Sequence, residues 1–161
     1  MRKPADPRRK MLASVLAWEG AHVSFDTAVN GVSAKLRGVR PEGLPYSLWE
    51  LLEHIRLAQR DILDFCINPK YRAKKWPDSY WPKKPTPANA GAWRKSIAAV
   101  RVDRRALQKL ALDASIDLDA LIPHGDGQTY LREILLATDH AAYHVGEMVT
   151  VRRLLGAWKP A

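Results

Sequence analysis

Apolar residues return every three or four positions in four separate stretches of this 161-residue chain, and nowhere with the two-residue alternation of a half-buried strand. The first stretch runs Met11, Val15, Trp18, His22, Phe25 and Val29, which predicts a helix over about residues 9–30. Gly31, Gly38, Pro41, Gly43 and Pro45 then break the pattern. Ser47 followed by Glu50 is a capping box that opens a second helix with Leu48, Leu51, Ile55, Ala58, Ile62 and Phe65 on its apolar side, stopped by Pro69. Periodicity resumes at Trp93, Ile97, Val100, Leu107 and Leu110. A last helix, capped by Thr129 and ended before Gly156, carries Leu131, Ile134, Leu135, Thr138, Val145, Met148 and Val149. One short helix is expected around Leu118 to Ile122. An all-α chain with this inventory packs as a four-helix bundle, and its length suits one domain over residues 1–161. Connector lengths alone leave the order of up and down helices open.

Charge is concentrated. The formal excess of +9 sits in the basic tail at residues 1–8 with its flanking Arg9 and Lys10, and in Lys70, Arg72, Lys74, Lys75, Lys83 and Lys84 of a crossover connector at residues 67–91. The remainder is balanced, unlike the basic stripe of a DNA-reading helix. The connector also holds five of the eleven prolines, with Tyr71, Trp76, Tyr80 and Trp81, and is expected to lack regular structure. No window is apolar enough to cross a membrane. Basic residues ahead of Met11 to Trp18 imitate a secretory leader, but Glu19 closes the run and no A-x-A-like cleavage site follows, so it reads as a helix face. Cys66 is the lone cysteine, which excludes internal disulfides and fits a cytoplasmic location; it reads as a small buried residue.

His140 and His144 stand four apart, so their rings project from one face of the last helix and can reach a common ion. That face also carries Ala137 and Val151, with Glu133 and Glu147 at its edge, as a second seam would. His54 lies at the rim of the second helix's apolar side. Facing helices of a bundle converge on metals in this way, and three imidazoles would leave coordination positions open for catalysis. A nitrogen-only donor set suits zinc, nickel or another borderline divalent transition metal. Glu147 is a candidate further ligand or catalytic base. Glu19 and His22 form half of a di-iron carboxylate motif without a second copy, so His22 reads as a packed core histidine. His124 has no assigned role. The residues after His140 are Ala141, Ala142 and Tyr143, so the glutamate of H-E-x-x-H peptidases is missing.

Three segments carry a resemblance: S-L-W-E-L-L-E-H-I-R-L-A-Q-R-D-I-L at residues 47–63, W-P-D-S-Y-W-P at residues 76–82 and D-H-A-A-Y-H-V-G-E-M-V-T-V-R-R-L-L-G-A-W at residues 139–158. With these the chain resembles the DinB-like superfamily of metalloenzymes. The resemblance implies that His54, His140 and His144 bind a divalent metal, that the bundle runs up-down-down-up, and that the protein is a homodimer. It also implies activation of a low-molecular-weight thiol for transfer or isomerisation.

Three functions compete. The first is a metal-dependent enzyme, a hydrolase or a thiol S-transferase or isomerase acting on a small molecule, in which the open position activates water or a thiol. The second is nucleic-acid binding through the basic aromatic connector. Against it stands a connector whose rings fold back as a lid while its lysines face water, which the ease of keeping lysine heads solvated favours. The third is a non-catalytic dimeric bundle in which the metal supplies only stability.

Overall fold

The computed structural model describes residues 6–17 and 20–158. Among them are five α-helices and no strand: α1 (Pro7–Ala17), α2 (Phe25–Val29), α3 (Leu48–Ile67), α4 (Ala90–Leu112) and α5 (Tyr130–Leu154). The chain is all-α.

The single helix expected over residues 9–30 is two. Ser24 accepts from the Thr27 amide and caps a new short helix, and Gly20 lies in the irregular stretch before it. The expected stripe breaks with it: Met11 is exposed and Leu12, Ala13 and Leu16 are buried instead. Trp18 and Glu19 lie outside the described residues. The helix already begins at Pro7, a residue whose missing amide donor costs nothing in a first turn. Pro7 and Arg8 are therefore helix, not tail; residues 1–5 lie outside the described residues. Arg8 pairs with Asp119, and Arg9 donates to the carbonyls of Ala111, Asp113 and Ile116, which ties this end to the segment after α4.

The Ser47–Glu50 capping box forms as expected, each side chain accepting from the other residue's amide. Thr129 caps α5 by accepting from the Arg132 amide, and Gly156 takes a positive φ just beyond that helix. Around Leu118 to Ile122 there are turns and no helix. Ile122 donates to the Gln128 carbonyl and Leu131 to that of Leu118, while both apolar side chains are buried.

The core divides into two clusters along the helices. One gathers Phe25 and Val29, then Leu48 to Ile55, Trp93 and Val100, and Val145 to Val151. The other gathers Leu12 and Leu16, then Ile62 to Cys66, Leu107 to Ala111, and Ile134 with Ala137. The chain from α1 into α2 thus passes from the second cluster to the first. The helices α3 and α4 pass from first to second, and α5 returns. His140 and His144 fall where α5 crosses from one cluster to the other, and His54 meets them from α3, beside Leu51, Leu52 and Ile55 of the first cluster. At the far end Arg152, buried on α5, donates to the carbonyls of Thr27, Ala28 and Ala157 and stacks over Trp158.

The connector is ordered, with one 3-10 turn at Asp78–Tyr80. Ser47 is held against it, its hydroxyl donating to the Pro85 carbonyl at 2.6 Å.

A candidate tri-histidine metal centre

Two helices bring the three predicted imidazoles together. His54 comes from the middle of α3 and is almost fully buried; His140 and His144 are successive turns of α5. Ring centroids lie 4.8 Å apart for His54 and His140, 4.5 Å for His54 and His144, and 4.4 Å for His140 and His144. One ligand atom from each ring falls within 4.8 Å of the others.

The hydrogen bonds at the back of the rings decide what faces the centre. His54 Nδ1 lies 2.8 Å from the Tyr80 carbonyl, which can only accept, so Nδ1 carries the proton and Nε2 keeps its lone pair. His144 Nδ1 lies 2.6 Å from Glu147 Oε2 and is assigned as the donor by the same logic. His54 Nε2 and His140 Nε2 face each other at 3.0 Å. Two tetrahedral zinc ligands at bonds of about 2.0–2.1 Å would sit about 3.3 Å apart. A neutral all-nitrogen set at this spacing fits a borderline divalent transition metal.

Electrostatics keep the rings basic only in the sense of lone pairs. Burial, reinforced by the neighbouring His144 and His54, pushes His140 down to about 3. Burial also lowers His54, opposed by the hydrogen bond to Tyr80. Both rings are therefore neutral ligands at pH 7.

Glu147 is engaged on both oxygens. Oε2 accepts from His144, and Oε1 accepts from the Tyr46 hydroxyl at 2.5 Å. Burial and that carboxylate push Tyr46 up to about 12, so it remains a donor. This is the carboxylate–histidine arrangement that orients metal ligands. The sequence bears no mark of the role of Tyr46, since that residue lies outside any periodic stripe. Nor could it expose the Tyr80 contact, since a backbone carbonyl has no residue signature.

The connector lays one aromatic ring, that of Trp81, directly on the site. Trp81 stacks on His54 with centroids 3.9 Å apart and planes within 4°. Tyr71 and Tyr80 turn their hydroxyls to Asp61. Trp76, 66% exposed, stands at the rim 6.3 Å from the His54 ring, and Tyr143, 65% exposed, lies edge-on to His144. Lys70, Arg72, Lys83 and Lys84 are exposed, while Lys74 turns in to Asp61 and Lys75 pairs with Asp78.

The other histidines lie elsewhere. His22 is exposed on the irregular segment before α2, its Nδ1 2.8 Å from the Val23 carbonyl; it is not the packed core residue that a continuous first helix implied. His124 pairs Nε2 with the Phe65 carbonyl. Cys66 is buried as expected, and burial, then Glu133, raises its thiol to about 12.

An all-helical chain with three imidazoles converging from two helices is defined, as a class, by a site that can hold a metal ion. The sequence model of the DinB superfamily matches residues 17–148, a span that takes in all three histidines and the whole connector. The chain belongs to the DinB superfamily. No curated protein and no solved structure matches it significantly.

Proposed function

We propose that this protein is a divalent-metal-dependent enzyme whose ion, zinc or nickel, is held by His54, His140 and His144. The observation that carries the reading is the convergence of three imidazole nitrogens within 4.8 Å, with two of the rings locked from behind by fixed acceptors. A divalent ion there supplies a Lewis acid that brings the pKa of a water or a low-molecular-weight thiol toward neutrality, for hydrolysis or for thiol transfer or isomerisation.

The chain's own residues prepare that chemistry. Glu147 keeps the His144 Nδ1 proton in a charge-assisted hydrogen bond, and Tyr46 holds the carboxylate in place. In this role Glu147 orients a ligand, which is more specific than the base or further ligand its spacing suggested. Trp81 shields one face of His54 from water. Trp76 and Tyr143 flank the approach from solvent and offer apolar walls to a small substrate.

Elemental analysis of protein purified without an affinity tag and reconstituted with zinc or nickel tests this. About one metal per chain is expected, and close to none in the H54A/H140A/H144A variant. A wild-type content well below one overturns the reading.

Within the same proposal the chain is a single-domain four-helix bundle running up-down-down-up, a cytoplasmic homodimer. The order in which α1 with α2, α3, α4 and α5 traverse the two core clusters supports the helix directions. Sedimentation equilibrium near twice the chain mass is the expected result for the dimer.

A further inference from the structure

Asp61 sits on α3 seven residues after His54. Two helical turns put both side chains on one face about 10 Å apart along the axis. It is 7% exposed, a poor place for a carboxylate without partners. Three residues of the connector supply them. The hydroxyls of Tyr80 and Tyr71 both donate to Oδ2, at 2.6 and 3.0 Å. Oδ1 receives no hydrogen bond, but the Lys74 ammonium lies 3.4 Å away, and the same ammonium lies over the Tyr80 ring. Burial and the adjacent carboxylate push Tyr71 up to about 12 and raise Tyr80 as well, so both remain donors.

Tyr80 is the link. Its hydroxyl is on Asp61, while its backbone carbonyl accepts the His54 Nδ1 proton and the next residue, Trp81, stacks on the His54 ring. One tyrosine therefore spans the two turns between the carboxylate and the ligand. Nothing in α3 itself fixes the His54 tautomer; the acceptor comes from a connector that Asp61 clasps.

We propose that Asp61 is a positioning residue for His54, acting through Tyr71, Tyr80 and Lys74 to press the connector onto α3 so that the Tyr80 carbonyl holds Nδ1 protonated and Nε2 free. Only the affinity arm of the test rests on the metal reading. The ring is set before any ion arrives, so the metal-free protein reports it too.

Two variants test the proposal: Asp61→Asn, and the double Tyr71→Phe/Tyr80→Phe, which removes the hydroxyls and keeps the rings, the carbonyl and the carboxylate. The double variant carries the test if Asp61→Asn does not fold. Nitrogen-15 spectra of the His54 ring in metal-free protein should change from one Nδ1–H tautomer to a mixture of both. Zinc affinity, read by competition with a chromophoric chelator, should fall about tenfold or more, as when an outer acceptor of a ligand histidine is lost. Asp26→Asn breaks the ion pairs with Arg101 and Arg104 away from the site and should move neither readout. An unchanged tautomer in the folded variants overturns the proposal, as does an equal change in Asp26→Asn or an unaltered zinc affinity beside a changed tautomer. If the wild type binds no zinc, the metal reading fails alone and the tautomer still decides the role of Asp61.

Discussion

Each histidine of the cluster needs something behind it, and the three are served differently. His144 leans on a charged acceptor, His54 on a neutral carbonyl, and His140 mainly on burial, which together with the neighbouring His144 and His54 keeps it unprotonated. A charged acceptor raises ligand basicity most, so Glu147 is the substitution expected to matter most outside the rings. Glu147→Gln should weaken zinc binding about 10- to 100-fold, with a smaller loss for Tyr46→Phe; chelator competition at constant pH checks both. A free thiol offers a contrast. Cys66 is held near 12 in the fold, so it should resist thiol-specific reagents up to about pH 10 and react only on unfolding. Its linkage has a definite sign. A thiol whose folded value is raised keeps its proton where the unfolded chain loses it, so stability is full below the ordinary thiol range and declines as pH climbs toward 12. Tyr46 and Tyr71 act in the same direction. Melting temperatures measured from pH 8 upward should fall, less steeply in Cys66→Ala.

Among the elements, α3 carries the heaviest duty, because it contributes to both core clusters and to the site. Its start is fixed by Ser47, which does two things at once: it caps the Glu50 amide and donates to Pro85. Ser47→Ala removes a cap worth about 1 kcal/mol and the hydrogen bond to the part-buried Pro85 carbonyl, worth about 1 kcal/mol more. A fall in melting temperature of roughly 4–8 °C is expected for a chain of this size. The long amphipathic helices were legible for the reason that makes them stable: a continuous apolar stripe with a cap at its start. Spacings of four and three join across an interruption as readily as along a helix, so the expected first helix spans two. Gly20 and Ser24 were the local signals, and Phe25 and Val29 belong to a fresh start. Leu135 belongs to the expected apolar stripe of α5 yet is 48% exposed, as the neighbouring Ile134 takes the buried position.

For the whole molecule the connector is the deciding piece, since it crosses between α3 and α4 and closes one side of the site. Its passage depends on close approach at Gly38, where a Cβ would lie 2.0 Å from Thr86 Cγ2 and 3.0 Å from Thr86 Cα. Gly38→Ala should destabilise the fold by about 1–3 kcal/mol, and Thr86→Ser in the same chain should recover part of that by removing the clashing methyl; denaturant titration of the two variants measures it. Hydropathy and caps determined that the chain is helical, and spacing with helix geometry nominated His54, His140 and His144, because those properties are local and written in residue identity. Only the tertiary structure decided which atoms stand behind the rings. The Tyr80 carbonyl, the Tyr46 hydroxyl and the Asp61 clasp are contacts between segments many residues apart, and a backbone acceptor leaves no mark in a sequence.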